Sequence, residues 1–364
     1  MKVLITGSRG FVGKNIELHL KRKNFHILTF NRSDNKKKLY SNLDKCDLII
    51  HCAGENRASN PNMFYKNNTN LTNEICKYLI KNKKKTKIIF TSTTKINYKS
   101  IYSKTKKQCE KILIKYKKLL KADVSIFRFP NLFGKWSKPN YNSVIATFCY
   151  NVSRDIKIKV FDKSEKLSLL YIDDAIDQIY SLIKKKNKYV YPKVKRVRTV
   201  SVSSIAKKII NFQKGLNNNY IEDLSNKLDK NLYSTFISFI PRNKIFTDIK
   251  KNNDKRGNFV EYIKSNKFGQ ISVFTINKNQ QRGGHYHNSK VEKFLIIKGN
   301  AKLIFEDVKS QNYFSRKVSE KKLQLFHSIP GWIHTIKNVG NNKIVGIVWA
   351  NEIFDKNKAD TYYN

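Results

Sequence analysis

The sequence predicts a doubly wound parallel α/β sheet followed by an all-β jelly roll. Three observations carry that reading. Short β-branched runs alternate with longer helical ones up to about residue 190, and a glycine-rich turn joins the first strand to the first helix. From about residue 244, short alternating strands then succeed one another without helices.

The strands expected in the first part are Val3–Thr6, His26–Phe30, Leu48–Cys52, Lys87–Thr91 and Val124–Phe129. Their near-continuous apolar character belongs to a parallel sheet covered on both faces. Helices are expected at Val12–Arg22, Asn68–Lys81 and Tyr102–Leu120, each long enough to cross back over the sheet. Residues 150–240 read as a smaller mixed lobe with helices at Asp174–Lys185 and Ser203–Phe212, which makes 1–240 one domain. Beyond Ile240-Pro241, the strands Gly269–Ile276, Lys293–Lys298, Ala301–Phe305, Leu323–Ser328 and Lys343–Trp349 form a second domain, 244–364. The lysine runs 83–85 and 184–186 read as solvated helix ends or loops.

Composition decides less. The 364 residues carry 73 Lys+Arg against 27 Asp+Glu, a formal charge of +46, which taken alone invites a nucleic-acid or anionic-membrane partner. The excess is almost all lysine spread along the chain, and no zinc-finger, RNA-recognition or helix-turn-helix signature accompanies it, so no nucleic-acid partner is expected. With 40% hydrophobic residues the chain can bury real cores, yet no apolar stretch reaches the roughly 20 residues that span a bilayer. No membrane insertion is expected. Met1 runs directly into the first strand without a leader pattern, and the five cysteines lack CxxC spacing, so the chain reads as cytoplasmic with reduced thiols.

The turn is Thr6-Gly7-Ser8-Arg9-Gly10-Phe11-Val12-Gly13. Gly7 permits a tight turn, Gly10 lets backbone approach a pyrophosphate, and Gly13 lets helix pack on sheet. Phe11 and Val12 open the helix whose N-terminus faces the phosphates. At the end of the second strand, where an NAD site places an acid on the ribose, stand Asn31 and Arg32. The missing carboxylate and the guanidinium favour NADPH, Arg32 pairing with a 2′-phosphate; the bland alternative is an exposed loop arginine.

Strand Ile88–Phe90 ends in Thr91-Ser92-Thr93-Thr94, and Tyr102 and Lys106 follow four residues apart on one helix face. An ammonium beside the phenol is expected to depress the tyrosine pKa toward neutrality, suiting a proton donor or acceptor at a carbinol oxygen. A strand-end hydroxyl would bond the same oxygen.

With these motifs the first 240 residues resemble the extended short-chain dehydrogenases/reductases that act on nucleotide sugars, a Rossmann-like family. The resemblance implies Thr93 as the hydroxyl partner, Tyr102 as acid/base and Lys106 as its tuner and a cofactor contact, with Asn68 facing the cofactor. It implies that Arg128–Gly134 follows the nicotinamide-side strand, bringing Asn131 to the substrate, and that Asn142 and Ser143 line the sugar-nucleotide pocket.

Four of the seven histidines lie beyond residue 284. His285 and His287 are two apart on a strand and so share a face, Glu292 can return an oxygen, and His334 supplies a third imidazole, an open site for a borderline divalent metal. The spacing resembles that of the cupins, which points to zinc. The alternative is a set of surface histidines.

A reductase joined to a cupin, together with the stretches 131–148, 229–235, 254–257 and 349–352, resembles the bifunctional enzymes of capsular-polysaccharide synthesis. The resemblance implies C3 epimerisation of UDP-2-acetamido-2,6-dideoxy-β-L-arabino-hexos-4-ulose in the cupin, then NADPH-dependent reduction at C4. The product would be UDP-N-acetyl-6-deoxy-L-talosamine, on the route to N-acetyl-L-fucosamine in capsule or O-antigen. It also implies a homodimer. Lys290, Tyr286 and His327 stay open as the epimerase base. The competing readings are a single-activity 4-keto-sugar reductase with a structural cupin, and an NADP-sensing regulatory protein.

Overall fold

Val3, Leu4 and Ile5 have no exposed surface in β1 (Lys2–Thr6), as expected where helices cover both faces of a strand. The computed structural model describes residues 1–58, 60–185 and 189–363; Lys186, the end of one lysine run, lies outside them. β1 connects through α1 (Phe11–Lys21) to β2 (His26–Phe30), and β3 (Leu48–His51), β4 (Lys87–Thr93) and β5 (Val124–Phe129) follow. All pairs are parallel, in the order β2-β1-β3-β4-β5. One core, with Leu4, Phe90 and Leu113, lies on one face; the other, with Ile5, Phe127 and Ile176, lies on the opposite face. Because β2 and β3 flank β1 on opposite sides, the chain diverges at the carboxyl ends of β1 and β3. That switch point is where open α/β sheets bind ligands.

The crossovers contain α2 (Lys36–Lys45), α3 (Pro61–Phe64), α4 (Leu71–Lys81) and α5 (Ile101–Leu120). The expected helix from Asn68 is thus two pieces, a π-helical turn Tyr65–Asn70 running into α4. α2 escaped the sequence reading because KKKLYSNLDK is mostly polar. Its buried residues are Leu39, Asn42 and Leu43, and Asn35 caps it by accepting from the Lys38 amide. A three-stranded sheet, β6 (Asn131–Phe133), β7 (Lys166–Tyr171) and β8 (Arg198–Ser201), is accompanied by α6 (Val144–Val152), α7 (Ile172–Ser181), α8 (Val202–Asn217) and α9 (Lys227–Ile237).

The rest is antiparallel. β9 (Asn252–Asp254), β10 (Gly257–Ser265), β11 (Gly269–Ile276), β12 (Gln281–His285) and β13 (Glu292–Lys298) are followed by β14 (Asn300–Asp307), β15 (Tyr313–Ser319), β16 (Leu325–His327), β17 (Trp332–Asn338) and β18 (Ile344–Ala350). They form a six-stranded sheet, β16-β13-β18-β11-β10-β9, and a four-stranded sheet, β12-β17-β14-β15. Phe274, Phe294 and Val348 from the first pack with Leu303, Phe305 and Ile336 from the second in one core. The predicted fold class, parallel Rossmann-like α/β followed by an antiparallel β domain, is therefore the one observed.

The chain divides into two compact units, Met1–Ile209 with Lys230–Pro241, and Ile210–Asp229 with Arg242–Asn364. The sequence reading keeps all of 150–240 with the first domain, whereas Ile210–Asp229 goes with the second unit. The reason is local backbone pairing: the Lys264 amide donates to Asn219 O at 2.8 Å and the Ile221 amide to Lys264 O at 2.8 Å.

Two candidate sites, one in each unit

In the first unit a cleft of about 970 Å³ opens at the carboxyl end of the parallel sheet. It brings together Gly7, Gly10, Phe11, Val12, Gly13, Arg32, Thr93, Tyr102, Lys106, Asn131, Asn142 and Ser143, all expected from sequence. Gly7 has φ +72°, and a Cβ on it would lie 2.8 Å from the Ala53 backbone. A Cβ on Gly13 would meet Gly7 O at 2.1 Å, so the turn and helix α1 can close only with glycine there. Gly10 caps α1 in extended conformation with no side-chain hydrogen bond, leaving the helix N-terminus to an incoming anion. This cradle fits a dinucleotide pyrophosphate.

Two expected cofactor residues stand behind the cleft wall. Asn31 is buried; its Oδ1 accepts from the Arg9 amide at 3.0 Å and its Nδ2 donates to Ser8 Oγ at 3.0 Å, so it braces the glycine turn. Asn68, in the π-helical turn, is buried too. Its Oδ1 accepts from the Glu55 amide at 2.6 Å and its Nδ2 donates to Thr105 Oγ1 at 3.0 Å, tying the loop after β3 to α5. Arg32 is exposed but already engaged, its guanidinium donating to the buried carboxylate of Glu55.

Glu55 and Tyr141 were not foreseen. Glu55 also accepts from the Tyr141 hydroxyl at 2.7 Å and from Asn67 Nδ2 at 3.1 Å, while Arg57 Nη1 donates to Tyr141 O at 2.7 Å. A single carboxylate thus connects Arg32, on the nucleotide side, with the segment that carries Asn142 and Ser143. An acid at the strand end was the only available signal, because its partner stands 86 residues away.

Ser100 caps α5 by accepting from the Ser103 amide, and Tyr102 and Lys106 follow on one face. Ser92 donates to the buried Glu110 at 2.6 Å, and Thr94 is exposed; Thr93 lines the cleft with Tyr102, and its hydroxyl acts to lower the phenol's pKa. The expected depression of the tyrosine pKa is not found. Burial pushes the Tyr102 phenol up to about 12 against the opposing effect of Thr93, and Lys106 is not among the groups acting on it. Lys106 is buried and turned elsewhere: its ammonium donates to Thr91 O at 2.8 Å and lies 4.3 Å from the Phe90 ring centroid, and burial lowers its pKa. In this state Tyr102 is a neutral acid.

In the second unit, His285, His287, Glu292 and His334 converge, their ligand atoms all within 4.8 Å of one another. His285 comes from β12, Glu292 from the start of β13 and His334 from β17, which pairs with β12 at His285↔His334. His287 Nε2 and His334 Nε2 lie 3.4 and 3.3 Å from Glu292 Oε2. The edge of a tetrahedron around an ion with ligands at about 2.1 Å is about 3.4 Å, so the spacing fits one divalent ion. His287 Nε2 is buried without a hydrogen-bond partner, as a metal-directed lone pair would be. Burial, then the His334 and His287 imidazoles, lower His285 to about 4. Burial opposes ionisation of Glu292, but His287, His334 and Lys290 hold its carboxyl well below the usual carboxylate range.

A cavity of about 420 Å³ beside the cluster is lined by His285, Lys290, Glu292, His334 and Tyr363. Of the three candidate bases, Lys290 lines it, 3.0 Å from Glu292 Oε1. Tyr286 packs against Tyr362, and His327 is exposed on β16; neither lines the cavity. Among the described residues, no helix is long and apolar enough to cross a membrane.

Residues 3–194 match the NAD dependent epimerase/dehydratase family, and residues 252–362 match the polysaccharide biosynthesis C-terminal domain. A Pseudomonas aeruginosa protein named UDP-2-acetamido-2,6-beta-L-arabino-hexul-4-ose reductase is 36% identical over 364 residues, covering 100% of this chain and 98% of that protein. The crystal structure of the capsular polysaccharide assembling protein CapF from Staphylococcus aureus superposes with a TM-score of 0.93 at 36% identity, over 100% of this chain and 99% of that one. A Thermus thermophilus UDP-glucose 4-epimerase complexed with NAD, 13% identical, shares the fold at a TM-score of 0.51 over 59% of this chain and 84% of its own. The glycine cradle, the Tyr102–Lys106 pair, the His/Glu cluster and these matches together place the chain in the NAD dependent epimerase/dehydratase family, as a CapF-like member that carries a polysaccharide biosynthesis C-terminal domain.

Proposed function

We propose that the first unit is an NADPH-dependent reductase of a UDP-linked 4-keto-6-deoxy amino sugar, and that the second unit epimerises that sugar at C3 beforehand. The observation that carries the reductase reading is the single cleft in which the glycine cradle, Thr93, Tyr102 and Lys106 meet. NADPH, held by the glycine cradle at Gly7, Gly10 and Gly13, would supply the hydride for C4. The neutral Tyr102 phenol then gives its proton to O4, so ketone, hydride and proton balance as one secondary alcohol. Thr93 lines the cleft beside Tyr102, where its hydroxyl would bond the same O4, and Lys106, fixed on Thr91 O, would place its ammonium at the cleft. Asn131, Asn142 and Ser143 line the same cleft, where they would orient the sugar nucleotide. Arg32, held by Glu55, presents the guanidinium that would favour a 2′-phosphate.

For the second unit, a divalent ion, zinc by the character of its donors, would supply Lewis acidity toward a 4-keto oxygen and so acidify the C3 proton. His285, His287, Glu292 and His334 would hold it, and Lys290 is the best-placed base candidate. The whole-length likeness to the P. aeruginosa reductase and to CapF supports UDP-2-acetamido-2,6-dideoxy-β-L-arabino-hexos-4-ulose as substrate, UDP-N-acetyl-6-deoxy-L-talosamine as product, and a place in capsule or O-antigen synthesis.

Incubating the metal-loaded protein with that 4-keto sugar in D2O, with and without NADPH, tests both activities by NMR. Deuterium at C3 without NADPH and a C4 alcohol only with NADPH are expected. An alcohol formed without C3 exchange would leave a single-activity reductase with a structural metal site.

A further inference from the structure

The ligands His287 and Glu292 are joined by a short loop, Asn288–Val291, whose backbone amides have no strand partner between β12 and β13. Residues about 70 positions later supply most of their partners. The Asp360 carboxylate accepts from the Asn288 amide at 2.9 Å, the Ser289 amide at 2.7 Å, Ser289 Oγ at 2.9 Å and the Lys290 amide at 2.8 Å. Its backbone carbonyl accepts from His287 Nδ1. A carbonyl has no proton to give, so Nδ1 carries the proton of this hydrogen bond, which leaves Nε2, the buried atom without a hydrogen-bond partner, as the nitrogen to hold an ion. Two residues on, Tyr362 and Tyr286 exchange both backbone hydrogen bonds at 3.0 Å, which fixes the residue between His285 and His287. Tyr363 then sets its ring edge-on to His285, with centroids 5.7 Å apart, and lines the cavity.

From these contacts we propose that Asp360–Tyr363 is a positioning arm for the metal centre. It selects the His287 tautomer through the Asp360 carbonyl, shapes the 288–290 loop through the Asp360 carboxylate, and closes one wall of the cavity with Tyr363. The proposal rests on reading His285, His287, Glu292 and His334 as metal ligands. Asp360 touches no ion itself; it acts through His287 and the loop, as the outer-shell partners of metal-bound histidines generally do.

The test is zinc affinity of the full chain, measured by competition with a chromophoric chelator and by the visible absorption of the cobalt-substituted protein. Asp360→Ala is expected to bind zinc about 10- to 100-fold more weakly than the unaltered chain and to change the cobalt spectrum. Asp360→Asn, which keeps the side-chain shape and one acceptor oxygen, should fall between them. Asp355→Ala, which removes only the cap on the Asn357 amide, should bind like the unaltered chain. The melting curve in chelator checks that Asp360→Ala remains folded, and Asp360→Asn carries the comparison if it does not. Equal zinc affinity and an unchanged cobalt spectrum in both Asp360 variants would overturn the positioning role while leaving the metal centre intact. Failure of the unaltered chain to bind zinc, or unchanged binding in His287→Ala, would overturn the metal reading and this inference with it.

Discussion

His51, at the end of β3 beneath the nucleotide cleft, makes the acid stability of the first unit predictable. The Thr72 hydroxyl donates to Asn68 O at 2.8 Å, so it accepts from His51 Nε2 at 2.9 Å; the Thr6 hydroxyl then donates to Nδ1 at 2.6 Å. The ring is neutral and fully bonded. Burial, aided by the Lys106 ammonium, lowers its pKa from 6.5 to about 3. The unfolded chain therefore takes up a proton below pH 6.5 that the folded unit refuses until about pH 3. Stability is complete above pH 6.5 and falls as the pH drops between those values. At about pH 5 the loss from this one group is about 2 kcal/mol, from about 1.36 kcal/mol per pH unit, or about 30-fold in the opening constant. The slowest-exchanging amides of β1 and β3 report opening of the unit, and hydrogen exchange at about pH 7.5 and about pH 5 measures it. His51→Gln keeps a donor toward Thr72 but cannot titrate. It should be the less stable protein at the higher pH, and its deficit should shrink by about 2 kcal/mol at the lower pH, where other ionisations cancel in the difference. A deficit of the same size at both pH values would refute the assignment of a neutral, acid-refusing His51.

Three further substitutions probe the cleft. Tyr102→Phe should lower kcat for 4-keto-sugar reduction by about 10²- to 10⁴-fold with little change in either KM. In the cofactor-free protein, the tyrosinate absorbance that it removes should appear only near pH 12, since burial raises that phenol; full reductase activity would contradict the role of Tyr102. Gly13→Ala places a Cβ 2.1 Å from Gly7 O and should abolish NADPH binding by fluorescence titration, whereas Gly10→Ala, with 3.1 Å to the same oxygen, should weaken it far less. Glu55→Gln should raise KM for both NADPH and the sugar, because Arg32 and Tyr141 lose their common anchor. Arg32→Ala should affect NADPH alone, and a Glu55→Gln defect confined to one substrate would break the proposed link.

What could be read from the sequence is what repeats at short range. Gly7 and Gly13 are visible because backbone atoms occupy the space of a side chain within a single turn, and Gly10 because it stands between them at the helix N-terminus. His285 and His287 are visible because a strand repeats every two residues, and Tyr102 and Lys106 because a helix brings i and i+4 together. β15 was missed for the converse reason: as an edge strand, Tyr313 to Lys317 are all exposed, so no alternation of polarity marks it. Asn31 stands at the end of the second strand, as read, but nothing local in the sequence shows that its amide turns back to Ser8 and Arg9. Glu55 with Tyr141 and His287 with Asp360 lie 86 and 73 residues apart, and contacts at such range leave no periodic trace.

The same distinction recasts the charge of +46. Basic residues on the wall of the first cleft are Arg9, Lys14, Arg32, Lys95, Lys106 and Lys138, against the acids Glu55 and Glu165. Glu55 is bound to Arg32, yet that pairing does not cancel the guanidinium as an anion site, because the arginine side chain is still 65% exposed while the carboxylate is 8% exposed. The buried partner orients the cation and the solvent-facing edge remains for a phosphate. With screening over about 8 Å at physiological salt, lysines far from the cleft contribute little to collecting a nucleotide sugar, and those on its wall act at contact range. The bulk charge is thus compositional background, and the charge that faces the cleft comes from a few placed residues, of which Lys106 is buried and bonded to Thr91 O.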